Sequence, residues 1–199
     1  FYYYCIWVWA KLFGISEFVL RSFSALMSAL SLLVISLFIA KNYSRKSTLA
    51  FILIFTVHPV IFYYAQEARC YSLVLFLASL NLVLFKNFID NPNLRNSVLL
   101  GLINFLLVYT HYITFFILLF QLVPVLYLRS HVKLFSISTG LTIALVFLRF
   151  TKRQFLVIFG VGTNSVKDAW IKHSSLDSFS QFVEKMYFNY GIYTLIIIS

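Results

Sequence analysis

Residues 18–40 read FVLRSFSALMSALSLLVISLFIA, an apolar run that contains one charge, Arg21, and is followed directly by Lys41. An α-helix needs about 20 mostly apolar residues to cross the hydrocarbon core of a bilayer. Both cations lie towards the ends of the run, where long basic side chains reach the membrane interface. The run therefore predicts a membrane-spanning helix.

Further apolar stretches follow along the chain, at 48–65, 70–85, 98–112, 113–128 and 134–150. We therefore expect about six membrane-embedded helices within residues 18–150. Residues 1–13 are rich in Trp and Tyr and contain one Lys, which favours a helix lying in the interface rather than a span. His58 before Pro59 indicates a kink in the second stretch. We expect an outer loop at 151–190 and the start of a further membrane helix at 191–199.

The composition agrees with a membrane protein. Of 199 residues, 61% are hydrophobic and 11% are charged, whereas soluble domains average roughly a quarter charged residues. The net charge of +10 is scattered between apolar segments, so we do not expect a nucleic-acid partner. Cys5 and Cys70 form neither a disulfide framework nor a metal-binding spacing. The predicted fold is all-α, a polytopic membrane helical bundle whose surroundings are membrane lipids.

The short loops indicate an orientation. Residues 41–47, 86–96 and 129–133 fall on one side of the predicted spans and contain the single acid Asp90. Their cations are Lys41, Arg45, Lys46, Lys86, Arg95, Arg129 and Lys133. An excess of Lys and Arg marks cytoplasmic loops, so we assign this side to the cytoplasm. The excess of cations within 151–190 argues against this orientation.

Ionisable residues also gather on the opposite side, at the predicted outer ends of the spans: Glu17, Arg21, Glu67, Arg69 and His111. Charges near a bilayer are costly, so such a set favours a functional site. Each residue also has an ordinary interpretation. The arginines can snorkel to the interface, Glu67 and Arg69 can form a solvated turn, and His111 can be an interfacial histidine.

Four segments carry a resemblance to a known family. They are WAKLFGISEFVLRSFSAL at 9–26, YYAQEARCYSL at 63–73, YTHY at 109–112, and Trp170-Ile171 with Ser175-Leu176. In this order they resemble the signatures of the protein-mannosyltransferase-like family of membrane glycosyltransferases. Dolichyl-phosphate-mannose protein mannosyltransferases and the bacterial aminoarabinose transferase that acts on lipid A are related to it.

The resemblance implies the C-type glycosyltransferase fold and an active site on the outer face of the membrane, here a bacterial plasma membrane. The donor would be a polyprenyl-phosphate sugar, the acceptor a lipid, a glycan or a protein, and the displacement inverting. The leaving phosphate gains negative charge, so Arg21 and Arg69 are the candidates to bind it, and Arg21 matches an arginine that the family places at this helix start. Three roles are open for Glu67: to orient an arginine, to bind the acceptor, or to act as a second catalytic carboxylate. The residues expected at the cavity rim are Glu17, Gln66, Tyr71 and His111.

The resemblance also implies that the chain is a fragment without the family's first outer loop and its C-terminal part. We therefore expect the main catalytic acid upstream of Phe1. It assigns no metal ligands and no certain cofactor, and leaves a divalent metal open. We further expect Arg21 and the turn from Glu67 to Arg69 to face one outer cavity, with His111 on its rim.

Two other kinds of protein share these features. A transporter or flippase subunit for a lipid-linked precursor also has apolar spans and outer charges, but it does not require the four ordered segments. A non-catalytic membrane scaffold related to the enzymes is the third alternative. An Asp or Glu pair in the loop just before Phe1 would favour the enzyme.

The orientation is tested by labelling single introduced cysteines with a membrane-impermeant thiol reagent in intact cells. A cysteine at Ser165 is expected to react from outside and one at Asn91 is not, because the first lies in the predicted outer loop and the second in a cationic loop. The reverse labelling pattern would contradict the orientation and, with it, the position assigned to the active site.

Overall fold

The computed structural model describes residues 1–128 and 131–149, and residues up to Phe147 form one compact unit. All regular elements of the described part are helical. They are α1 Tyr2–Phe13, α2 Glu17–Asn42, α3 Arg45–Val57, α4 Pro59–Gln66, α5 Tyr71–Asp90, α6 Leu94–Thr110, a 3-10 turn Tyr112–Thr114, α7 Phe115–Tyr127 and α8 Val132–Arg149. The loop expected at 151–190 and the helix start expected at 191–199 lie outside the described residues.

The all-helical class is confirmed for the described residues. Two helices, α2 and α5, are long and apolar enough to cross a membrane. The pair α3 and α4 makes a third candidate if it is counted as one bent span. The remaining apolar helices, at Leu94–Thr110, Tyr112–Tyr127 and Val132–Leu148, are shorter. Of the six expected spans, two or three are therefore supported by length and composition.

The helix starts follow local capping chemistry. The side-chain oxygens of Ser16, Ser44 and Asn93 each accept a hydrogen bond from the backbone N–H three residues later, at the starts of α2, α3 and α6. Such caps satisfy a donor that a helix N-terminus leaves without an intrahelical partner. At the C-terminal end of α1, Gly14 has a φ of 97°, a conformation that favours glycine.

The stretch expected as one helix at 48–65 is divided into α3 and α4, whose axes differ by 58°. The break lies at His58, which has extended backbone angles, and Pro59 begins α4. Proline lacks the N–H that would continue the helix and disfavours helical angles in the residue before it. The kink expected at His58 is therefore confirmed, in the form of a full break.

Contacts between the segments that join the helices define two opposite ends of the bundle. The Tyr71 ring, at the start of α5, lies 6.0 Å from the ring of His111, which directly follows α6. Near the opposite ends of these helices, His131 Nε2 lies 3.1 Å from the carbonyl oxygen of Ile89. We call the first the Tyr71 end and the second the His131 end. The outer candidates Glu67 and Arg69 belong to the Tyr71 end.

The interior is unusually polar and the exterior unusually apolar. Large exposed apolar side chains occur all along the bundle, as at Leu53, Phe62 and Phe120. Among the described residues the buried polar side chains are Ser24, Ser28, Ser31, Ser72, Ser79, Asn81, Ser97, Asn104, Thr114, Gln121, Ser138 and Thr142. Helices that pack within lipid use small and polar residues at their interfaces, because burying apolar surface brings little gain there. The distribution therefore supports lipid surroundings.

Three buried amides form a closed ring that joins α5, α6 and α7. Asn81 Nδ2 donates to Asn104 Oδ1 at 2.6 Å, and Asn104 Nδ2 donates to Gln121 Oε1 at 3.2 Å. The ring closes where Gln121 Nε2 donates to Asn81 Oδ1 at 2.6 Å. Each amide thus donates one hydrogen bond and accepts one, so none of the three is buried without a partner.

Helix α8 approaches α6 closely at Gly101. A Cβ atom on Gly101 would lie 2.8 Å from the carbonyl oxygen of Ser138, which is backbone and cannot rotate away. Thr142 Oγ1 donates to the Gly101 carbonyl oxygen at 3.0 Å across the same contact. Glycine at this position lets the two backbones approach, as small residues do between membrane helices.

The amide ring is tested by comparing Asn104→Leu with the triple variant Asn81→Leu, Asn104→Leu, Gln121→Leu. The single change leaves a buried donor on Asn81 and a buried acceptor on Gln121, each costing about 1–3 kcal/mol. The triple change leaves neither, so we expect it to be the more stable of the two. Thermal unfolding in detergent, followed by far-UV circular dichroism, measures this. A single variant as stable as the original protein would show that the ring is unimportant.

Candidate functional site

A pocket of about 460 Å³ lies at the Tyr71 end of the bundle. Three separate segments form its wall: the start of α1, the turn between α4 and α5, and the end of α6. The lining residues are Phe1, Tyr2, Tyr3, Ala68, Arg69, Cys70, Tyr71, Tyr109 and Thr110. Among these, Arg69 is the only side chain that carries a permanent charge. We call this space the Arg69 pocket.

Arg69 is held by a neighbouring carboxylate. Its Nε lies 3.0 Å from Glu67 Oε2, while 62% of the Arg69 side chain stays exposed. The backbone folds tightly here, since the Arg69 N–H donates to the Glu67 carbonyl oxygen at 2.8 Å. The tight turn brings the two side chains together, and the Arg69 side chain stays largely exposed beside the pocket that it lines. A guanidinium in this setting is suited to binding phosphate or carboxylate oxygens.

Glu67 is engaged through both of its oxygens. Oε1 accepts a hydrogen bond from Tyr63 Oη at 2.5 Å, and Oε2 makes the ion pair with Arg69. The Arg69 contact is close but is not aligned as a hydrogen bond, and Oε2 has no hydrogen-bond partner within the described ranges. The Glu67 side chain is 24% exposed, so this carboxylate is more enclosed than the arginine that it contacts.

Aromatic rings continue the wall of the Arg69 pocket. The Tyr71 ring lies 4.4 Å from the ring of Tyr64 and 6.0 Å from that of His111. His111 in turn stacks on Tyr112, with ring centroids 5.2 Å apart and ring planes 15° apart. His111 is thus next to the pocket through Tyr71 and through its chain neighbour Thr110. Such a row presents flat apolar faces beside a charged group, an arrangement suited to an amphipathic ligand.

Arg21 lies at a different pocket. That pocket, of about 320 Å³, is lined by Phe18, Arg21, Ser22, Ala25, Ala65 and Gln66. Arg21 Nη2 lies 2.5 Å from Glu17 Oε1, one helical turn earlier, and both side chains are more than half exposed. An exposed ion pair of this spacing contributes little to stability.

Within the described residues Arg21 and Arg69 thus line different pockets, and one cavity shared by both stays a prediction. Gln66, the last residue of α4, borders the Arg21 pocket, whereas Ala68 and Arg69 border the other. The tight turn after Gln66 redirects the chain, so its residues contribute to two pockets. Glu17 adds a partner for Arg21 on the same helix face, which holds the guanidinium beside α2.

Burial changes the acid–base behaviour of two groups on the wall. Burial raises the pKa of the Tyr2 hydroxyl to about 12, an effect that the nearby Ser24 side chain partly opposes. Neither of these hydroxyls has a hydrogen bond of good geometry in the described part of the chain. Burial likewise raises the pKa of the Cys70 thiol, although its own backbone and the Arg69 cation act in the opposite direction. Both groups therefore stay neutral at physiological pH.

Sequence reasoning missed several members of this site. Tyr63 lies four residues before Glu67, a spacing that brings side chains together on a helix, so the sequence did contain a signal for this pair. The contribution of Tyr2 and Tyr3 arises from the docking of α1 against α2 and had no comparable signal. Within the described ranges, no group of three or more His, Cys, Asp and Glu residues is placed to hold a metal ion.

Comparisons with family models, with curated proteins and with solved structures find no match to this chain.

The raised pKa of Cys70 predicts a distinctive alkylation profile. The thiolate is the reactive form, so Cys70 in a Cys5→Ser protein should react slowly at neutral pH. Its rate should keep rising at pH values where an exposed thiol is already fully reactive. Iodoacetamide modification followed by mass spectrometry across a pH series measures this, with a cysteine introduced at the exposed Lys41 as the control. Equal pH midpoints for the two thiols would contradict the burial of Cys70.

Proposed function

We propose that this chain belongs to a membrane glycosyltransferase that moves a sugar from a polyprenyl-phosphate donor to a lipid, glycan or protein acceptor at the outer face of the membrane. The observation that carries the proposal is the Arg69 pocket, which combines one exposed arginine with an aromatic wall at one end of an apolar helical bundle. The ordered resemblance of four sequence segments supports the same assignment.

The pocket has the properties that a lipid phosphate requires. A polyprenyl phosphate has an anionic head and an apolar chain, so it needs a cation next to a surface open to lipid. Arg69 offers the cation, and the exposed apolar side chains of the bundle offer the lipid-facing surface. Tyr71 and Tyr109 line the same pocket as Arg69, and aromatic side chains there offer apolar surface to a sugar ring.

The proposed reaction is one displacement. An acceptor hydroxyl oxygen forms a bond to the anomeric carbon while the bond from that carbon to the phosphate oxygen breaks with both its electrons. A carboxylate takes the hydroxyl proton, and the resemblance assigns this base to the first outer loop of the family. The leaving phosphate gains negative charge, and a fixed guanidinium stabilises it most effectively where water is scarce.

Arg69 is the stronger of the two phosphate candidates. Arg69 lines the larger pocket, whereas Arg21 pairs with Glu17 at the other pocket. Arg21 keeps its place in the proposal through the resemblance, which puts an arginine at this helix start. Both pockets contain residues of the segment 66–69, so a donor that engages both arginines would have to lie across this turn.

The proposal predicts that Arg69→Ala lowers sugar transfer about 100- to 1,000-fold, the usual effect of losing one charge-stabilising donor in a catalytic site. Arg69→Lys should recover part of the activity, since lysine keeps the charge without the two-pronged grip. Arg21→Ala should lower transfer as well, and by less. Transfer from a labelled polyprenyl-phosphate sugar by the complete purified protein, normalised to folded protein, measures all three.

The matched control is Lys86→Ala, because Lys86 is a half-exposed cation paired with Asp90 at the opposite end of α5. Its transfer rate should stay within about twofold of the original, as expected for an exposed ion pair. Normal turnover of Arg69→Ala would contradict the phosphate-binding role. Donor binding without transfer to any acceptor would instead favour a transporter or scaffold.

A further inference from the structure

Tyr63, Glu67 and Arg69 form a continuous chain of polar contacts that ends at the Arg69 pocket. We infer that Tyr63 and Glu67 are positioning residues, which fix the Arg69 guanidinium so that its two Nη groups face a lipid phosphate. This inference rests on the proposed function, because it takes the phosphate ligand from there. It assigns a role to Tyr63 and gives Glu67 a role other than that of catalytic base.

The end of α4 is suited to holding Glu67. Tyr63 lies in the last turn of α4 and Glu67 is the residue that ends the helix, so their side chains are one turn apart on one face. The backbone then folds back through the hydrogen bond between the Arg69 N–H and the Glu67 carbonyl oxygen. A carboxylate held at a fixed point by a phenol therefore lies directly beside the guanidinium that it must orient.

The contacts also show which atoms remain available. Tyr63 occupies Glu67 Oε1 and Arg69 occupies Oε2, so neither oxygen is left to accept a proton from a substrate hydroxyl without breaking a contact. Arg69 uses Nε for this pair. The pair of Nη groups of a guanidinium matches two phosphate oxygens.

Positioning has a physical benefit here. The Arg69 side chain is 62% exposed, and a free arginine loses rotamer entropy when a ligand immobilises it. A guanidinium already held through Nε has lost part of that freedom before the ligand arrives, which strengthens binding without any new contact. The negative charge of Glu67 acts in the opposite direction, because it repels an incoming phosphate.

Because these two effects oppose each other, the direction in which Glu67→Gln changes phosphate binding shows which of them dominates. If Glu67 mattered only through its charge, removing that charge would strengthen phosphate binding. If Glu67 positions Arg69, the neutral amide holds the guanidinium less well and phosphate binding weakens. Tyr63→Phe tests positioning without a change in charge, since it removes only one hydroxyl.

The experiment measures binding of geranylgeranyl phosphate, and of geranylgeraniol as the uncharged control, to the complete protein in detergent. We expect Arg69→Ala to weaken binding of the phosphate roughly 10- to 100-fold, as for loss of a charged hydrogen bond. Tyr63→Phe and Glu67→Gln should each weaken it about threefold to tenfold, the equivalent of one hydrogen bond. In an Arg69→Ala background, Tyr63→Phe should have no further effect. Binding of the alcohol should not change in any variant.

Tyr43→Phe is the matched control, because Tyr43 is an exposed tyrosine at the end of α2 and faces no part of the Arg69 pocket. It should bind the phosphate as the original protein does. If Arg69→Ala weakens binding and Tyr63→Phe does not, or if Glu67→Gln strengthens it, the positioning inference is wrong and the role of Arg69 stands. Full phosphate binding by Arg69→Ala would overturn both the positioning inference and the phosphate-binding role of Arg69. Failure of the inference alone is therefore distinguishable from failure of the proposed function.

Discussion

An amide side chain placed among apolar helices must find a partner, because an unpaired buried donor or acceptor costs about 1–3 kcal/mol. Asn81, Asn104 and Gln121 meet this requirement by pairing with one another across α5, α6 and α7. Sliding any of these helices by a turn would break two of the three hydrogen bonds. The ring therefore fixes the register of the helices, and with it the heights at which Tyr71 and Thr110 meet in the pocket wall.

The local features of the fold were predictable from sequence. Apolar runs located the helices, and Pro59 located the break, because both depend on residues adjacent in the chain. The amide ring was not predictable, since Asn81 and Gln121 lie 40 residues apart and either can pair with many partners. The division of the two arginines between pockets was missed for a similar reason. Glu17 lies one turn before Arg21, and its ion pair with the Arg21 guanidinium competes with any ligand that would bind Arg21 from elsewhere in the fold.

The charged residues at the Tyr71 end differ in what surrounds them, although they look equivalent in sequence. Arg21 has an exposed partner on its own helix and lies against a small pocket. Arg69 shares a partly enclosed carboxylate with Tyr63 and lines the larger, aromatic pocket. Two cations of the same type thus stand in different electrostatic settings, and only the folded arrangement of α4 and the turn after it separates them.

Gly101 has a consequence for how this chain can change over evolutionary time. The carbonyl oxygen of Ser138 occupies the space that any Cβ would need, so even an alanine there would force two backbones apart. At positions that face lipid, one apolar residue can replace another freely, so the residue type there changes quickly among descendants. Selection should instead retain glycine at this position in every lineage that keeps the α6–α8 contact. A single residue without a side chain would then be a more durable mark of common ancestry than the long hydrophobic runs around it.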